Sequence, residues 1–178
     1  MRDELPNSDE IITAAAIQST LDRLAREISA RLADRNPLVI TIMHGGLVFA
    51  GQLLPRLAFP LECSYVHVQR YGQGTSGGEL VWIAGPHEPV KDRTVLLLDD
   101  ILDEGRTLAA IRARLLALGA VDVLTAAFAL KDRATPSAMT ADFIGVRVPD
   151  RFVFGFGMDV AGGWRNLPSI RALPREPA

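Results

Sequence analysis

The sequence predicts an α/β fold with a mostly parallel central sheet flanked by helices. Three observations carry that expectation. Apolar, strand-like runs alternate with helix-period segments, the pattern of parallel strands joined by crossover helices. One run, Val95-Leu-Leu-Leu98, empties into Asp99 and Asp100 and then into a turn that opens a helix, which is where a parallel sheet binds its ligand. A glycine-rich stretch at 70–79 and several late, short strands point to extra elements over the strand ends.

The elements follow in order. Asn7 or Ser8 is placed to cap a first helix whose stripe, Ile11, Ala14, Ile17, Leu21, Leu24, Ile28 and Leu32, repeats at three- and four-residue steps. Asn36-Pro37 stops it. Leu38 to Met43 reads as a central strand, His44-Gly45-Gly46 as a turn and 47–57 as a helix. Pro60 introduces a strand from Leu61 to about Gln69. Residues 70–79 hold four glycines and few apolar side chains, too little surface to be rigid alone, so a flexible loop is expected there. Leu80 to Ile83 returns as a β-ribbon. Thr94 to Leu98 is the strand before the acidic turn, and Thr107 to Leu118 is a helix closed by Gly119. Strands at 121–130, 141–148 and 152–156 follow, and the tail has little periodicity.

The 178 residues fit one domain over 1–178. The chain is 48% hydrophobic and carries a net charge of −2, so no electrostatic footprint for nucleic acid or an anionic membrane is present. Its one cysteine, Cys63, excludes a disulfide framework and is expected to be a small buried residue on a strand. The acidic N-terminus lacks the basic start and apolar run of a signal peptide. No apolar stretch approaches the roughly 18 residues that span a bilayer. A cytoplasmic protein without membrane or nucleic-acid partners is expected.

The chemistry concentrates in the acidic turn. Carboxylates at a strand end are unfavourable unless a cation or a hydroxyl-rich ligand meets them. Asp99 and Asp100 suit ribose hydroxyls, directly or through hydrated Mg2+. The five residues Asp103, Glu104, Gly105, Arg106 and Thr107 lead into a helix N-terminus, where backbone N–H groups bind phosphate. Phosphate on one side and hydroxyls on the other describe a sugar phosphate lying across the turn.

Val95 to Leu108 resembles the phosphoribosyl pyrophosphate motif of type I phosphoribosyltransferases: an apolar run, two acids, two apolar residues and an acid-containing loop ending in Gly-x-Thr. Over roughly residues 35–170 the chain is similar, in order, to hypoxanthine-guanine phosphoribosyltransferases. The resemblance implies the type I phosphoribosyltransferase fold, with a small hood built from the N-terminal segment and the C-terminal part. It implies that Met43, His44 and Gly45 form the pyrophosphate loop, often with a cis peptide. His44 stands where that family usually has a lysine. Arg70 and Tyr71 open the mobile loop, where the family usually has Ser-Tyr. Lys131 matches the lysine that donates to the purine 6-oxo group; a donor-only side chain favours 6-oxo over 6-amino purines. Arg151, Phe152, Val153 and Asp159 complete the base side, with Phe152 stacking on the ring. Asp159 also matches the aspartate of a second Mg2+ site, and Arg165 an arginine that reaches pyrophosphate.

The implied function is purine salvage, in which hypoxanthine or guanine and phosphoribosyl pyrophosphate give IMP or GMP and pyrophosphate. The cofactor is Mg2+, with Asp99, Asp100 and Asp159 on the metal side. Asp103 is the expected catalytic residue, at the purine N7. A homodimer or homotetramer is the family expectation. A reading from another class is a regulator of RNA or transcription on the same fold; the net charge and the absence of a basic cluster count against it.

Overall fold

The computed structural model describes residues 4–71 and 79–175. The chain opens with a short strand, β1 (Asp9–Ile12), and not with the helix expected from residue 8. Ile11 and Ile12 are β-branched, and β1 finds an antiparallel partner close to the C-terminus, a pairing that local periodicity does not announce. Helix α1 (Ala14–Leu32) starts after it, capped by Thr13, whose Oγ1 accepts from Ala16 N–H at 3.2 Å. From Ile17 onward the expected stripe holds: Ile17, Leu21, Leu24, Ile28 and Leu32 are buried.

Strand β2 (Leu38–Met43) matches its expected bounds. Helix α2 (Gly46–Leu53) is shorter than expected, because Pro55 has no N–H to donate and the chain tightens into a 3-10 turn over Leu54–Arg56. Strand β3 (Glu62–Tyr71) runs through Arg70 and Tyr71, past its expected end. Strand β4 (Glu79–Ala84) pairs back onto it, with Arg70 opposite Leu80 and Tyr71 opposite Glu79. The flexible loop expected at 70–79 otherwise lies outside the described residues. Cys63 is exposed rather than buried, since β4 covers β3 only from His67 onward.

Strand β5 (Thr94–Leu102) also outruns its expected end. Asp99 and Asp100 lie within it, because β6 (Asp122–Asp132) pairs alongside as far as Leu102 opposite Leu130. Helix α3 (Arg106–Ala117) is closed by Gly119 at φ +94°, whose N–H meets the Leu116 carbonyl at 2.9 Å. Strands β7 (Phe143–Pro149), β8 (Val153–Phe154) and β9 (Ile170–Ala172) complete the chain, the last within the tail that shows no periodicity.

The main sheet has the order β4-β3-β2-β5-β6-β7, with parallel pairing from β3 through β7 and β4 as an antiparallel edge. The alternation along each strand sorts the core. Val39, Leu96, Leu98, Leu124 and Phe128 pack on the side of α1 and α2. Ile40, Leu97, Val95 and Val123 pack on the side of α3, against Ile111 and Leu115. From β2 the chain steps to β3 on one side, and β5 returns on the other. The crevice beyond the C-terminal ends of β2 and β5 is therefore the topological switch point, where such sheets bind ligands. A separate three-stranded antiparallel sheet, β1-β9-β8, forms the hood. Its Phe156 and Ile170 are buried in the same cluster as α1.

Candidate active site

Three segments meet at the switch point. The first is the end of β2. The Met43–His44 peptide is cis, and Gly45 follows with no space for a side chain: a Cβ there would stand 2.1 Å from Asp100 Oδ2. Gly157 of the hood closes from the other side at φ +104°, where a Cβ would lie 2.2 Å from the Gly45 carbonyl oxygen. Two glycines thus let the 43–45 loop press onto the Asp100 carboxylate. The His44 ring stands edge-on to His67, with centroids 4.5 Å apart.

The second segment is the end of β5. Asp99 and Asp100 are partly buried. Asp99 Oδ1 accepts from Asp100 N–H at 3.0 Å, and Asp100 Oδ1 from Ile101 N–H at 2.8 Å. Burial, and then the neighbouring Asp100 charge, push the Asp99 carboxyl well above the usual range. Burial raises Asp100 as well, against opposing contributions from Asp99, the Ile101 N–H and Arg165. Two adjacent carboxylates destabilised in this way suit a hard divalent cation, which takes one or two carboxylates and fills its other positions with water and ligand phosphates. Among the described residues no three carboxylate, imidazole or thiol groups gather as a metal cage.

The loop that follows is held from behind. Ser137 Oγ donates to the Asp103 carbonyl at 2.6 Å, and Ala138 N–H to the Glu104 carbonyl at 2.8 Å. Gly105 caps α3 at φ +75°, with Ser137 Oγ 2.8 Å from where its Cβ would be. The first-turn N–H groups of a helix have no intrahelical acceptor and favour an anion. A groove of about 690 Å³ runs over this turn. Met43, His44, Gly45, Asp99, Asp100, Asp103, Glu104, Gly105, Arg106, Thr107 and Arg165 all line it.

The third segment supplies an adjoining pocket of about 190 Å³, lined by Asp100, Asp103, Lys131, Phe152, Val153 and Asp159 among others. Phe152 is 54% exposed there, its ring open to a flat ligand. Asp103 stands between groove and pocket. Lys131 Nζ donates to its Oδ2 at 2.7 Å, and Arg133 donates to its Oδ1. Burial pushes the Asp103 carboxyl up, but the hydrogen bonds and charges of Lys131 and Arg133 outweigh it and hold the group below the usual carboxylate range. Asp103 is thus an ionised acceptor. Asp159 Oδ1 accepts from Arg165 at 2.5 Å, and Arg165 also donates to the Gly157 carbonyl at 2.6 Å. Asp159 is therefore engaged by Arg165 and not grouped with Asp99 and Asp100.

Arg151 departs from the expected base contact. Its side chain donates to the Leu173 carbonyl at 2.9 Å and to Asp9 at 2.6 Å, tying β9 to β1 inside the hood. The reason is proximity: Asp9 and the strand end offer paired acceptors at a site 17% exposed. The roles expected for the Arg70 and Tyr71 side chains lie outside the described residues. Three residues escape sequence reasoning. Arg133 is visible only as a second cation after Lys131, and Ser137 and Gly157 act through contacts with distant loops.

Residues 7–161 match the phosphoribosyl transferase domain family. The bifunctional protein TilS/HprT of Listeria innocua is 36% identical over 167 residues, covering 93% of this chain and 26% of that protein, so the chain spans about a quarter of its length. The hypoxanthine-guanine phosphoribosyltransferase of Bacillus subtilis is 32% identical over 164 residues, covering 92% of this chain and 91% of that protein. A solved hypoxanthine phosphoribosyltransferase from Staphylococcus aureus superposes with a TM-score of 0.88 at 26% identity, covering 93% of this chain and 91% of that one. With its acidic groove, its lysine- and phenylalanine-walled pocket and these relatives, the chain belongs to the phosphoribosyl transferase family, on its hypoxanthine-guanine branch.

Proposed function

We propose that the chain is a purine-salvage transferase that joins hypoxanthine or guanine to 5-phosphoribosyl 1-pyrophosphate, giving IMP or GMP and pyrophosphate with Mg2+ as cofactor. One observation carries the reading. The phosphate-receiving groove and the pocket of Lys131 and Phe152 are contiguous and share Asp103.

The chemistry follows from that layout. The C1–O bond to pyrophosphate breaks with its electron pair leaving on pyrophosphate, and purine N9 bonds to C1 of an oxocarbenium-like ribose. The residues at 104–107 hold the 5′-phosphate, remote binding energy that fixes C1 in place. Asp99 and Asp100 face the ribose hydroxyls and, with Asp159 at a second position, would hold Mg2+. When bound, Mg2+ neutralises charge on the leaving pyrophosphate. Lys131 donates to the purine 6-oxo group, and Phe152 covers the ring. Ionised Asp103 accepts from the imidazole N7–H of the base, stabilises positive charge as N9 bonds to C1, and receives the N7 proton, which then passes to water. Arg165 reaches the pyrophosphate side from the hood.

Exposed Leu47, at the start of α2, belongs to the surface through which we propose a homodimer or homotetramer. The described residues include no helix long and apolar enough to cross a membrane, and a cytoplasmic location is part of the proposal. Incubating the protein with phosphoribosyl pyrophosphate, Mg2+ and each of hypoxanthine, guanine, xanthine and adenine tests the reading. Nucleotide should form with the 6-oxopurines and not with adenine. No product with any base would overturn it in favour of a nucleotide-binding regulator.

A further inference from the structure

The loop proposed to hold the 5′-phosphate carries an electrostatic problem of its own. Two of its five residues, Asp103 and Glu104, are acidic. A phosphate monoester brings nearly two further negative charges at neutral pH. Like charges at this range disfavour one another unless cations lie between them. Three cations are in place. Lys131 meets Asp103 at 2.7 Å. Arg106 Nε meets Glu104 at 3.3 Å. Arg133 reaches both acids, donating to Asp103 Oδ1 and standing 3.7 Å from Glu104 Oε1.

We infer that Arg133 is a positioning residue for the transfer reaction: its guanidinium bridges Asp103 and Glu104 and makes an acidic loop able to accept a phosphate dianion. What the bridge supplies is one positive charge set against both carboxylates. The bridge has a second consequence. Lys131 is proposed to donate to the base, and Asp103 holds it in the structure described. With Arg133 also on Asp103, Lys131 can turn to the purine without leaving a partly buried carboxylate bare. Arg133 lines the groove and so stands near the substrate, but it acts through the two acids. It follows Lys131 after a tight turn, Arg133 N–H to Lys131 carbonyl at 3.0 Å, so the strand end that delivers the base lysine delivers this counter-ion too.

This inference rests on the transferase reading, and its test separates the two. Initial rates and calorimetric binding of phosphoribosyl pyrophosphate with Mg2+ are measured for the unmodified protein, R133Q, R133K and R133Q/E104Q. R133Q should raise KM for phosphoribosyl pyrophosphate about tenfold, with kcat changed much less. R133K, which keeps the charge, should recover most of that loss. R133Q/E104Q should bind phosphoribosyl pyrophosphate more tightly than R133Q, because the uncompensated charge is gone. An R133Q protein with unchanged KM and affinity would overturn the inference. So would an R133K protein as impaired as R133Q, which would mean that packing and not charge is at work, or an E104Q change that worsens R133Q. If R133Q does not fold, R133K against the unmodified protein still decides: a tenfold rise in KM with charge retained rejects the inference. If the unmodified protein forms no nucleotide but binds phosphoribosyl pyrophosphate, the transferase reading fails, and the binding measurements still decide the role of Arg133.

Discussion

At the scale of single residues, the site works by pairing each charge with a purpose. Asp103 is the clearest case, an acid kept ionised by Lys131 and Arg133 although burial opposes it. An acceptor of that kind stabilises a developing positive charge better than it removes a proton outright. Asp103→Asn should therefore lower kcat by about 10²–10⁴-fold, while IMP or GMP still binds in an equilibrium titration. Near-normal turnover in that variant would remove Asp103 from the chemistry. Asp99 and Asp100 show the opposite sign. Their folded-state carboxyls are raised by burial, so between the ordinary aspartate value of about 4 and their raised values the folded protein holds protons that the unfolded chain has lost. Stability contributed by this pair is present below that window and declines as pH rises through it. A divalent cation favours the ionised forms. Added Mg2+ should therefore raise the melting temperature by more at about pH 8 than near pH 5. An equal effect at both would place the cation elsewhere.

At the scale of elements, the decisive feature is how closely loops from distant parts of the chain approach at the ends of β2 and β5. Gly45 and Gly157 are flush against one another and against Asp100. Gly157 also needs its positive φ. A methyl group at 157 would push the Gly45 carbonyl away and move the 43–45 loop off Asp100. Gly157→Ala should cost about 1–3 kcal/mol in urea unfolding and raise KM for phosphoribosyl pyrophosphate. Unchanged values of both would show that the loops separate without consequence. Ser137 and Ala138 act in the same way on the 103–107 loop, binding the carbonyls of Asp103 and Glu104.

For the molecule as a whole, the hood joins the two ends of the chain. Strand β9 sits between β1 and β8, and Arg151 and Arg171 reach across to Asp9 and Ser8. The pocket wall formed by Phe152, Val153 and Met158 is part of this assembly. Its position over the sheet therefore depends on a strand reached by a link that spans 142 residues, Arg151 to Asp9. Arg151→Ala should speed amide exchange in β1 and β9 while leaving α3 protected, since α3 packs in a separate part of the core. Uniform acceleration across the protein would instead mean that the hood and the main sheet unfold together.

The local pattern of the chain determined the alternation of strands and helices, the central strand 38–43, the buried stripe of α1 from Ile17 and the acidic turn. Each of these rests on spacing within one segment, where period and capping chemistry are directly visible. Its motifs also placed Lys131 and Phe152 near that turn through resemblance to a family. Only the tertiary structure decided the rest, because the deciding contacts are distant in sequence. Strand β1 exists because β9 pairs with it, and β5 continues through Asp99 and Asp100 because β6 runs beside it. Arg151 turns to the hood because Asp9 is there. Arg133, unremarked in its segment, becomes the partner of both acids once β6 ends beside the 103–107 loop. Local periodicity records which face of an element is buried; it does not record which distant backbone or charge will meet it, and at this site those meetings set the chemistry.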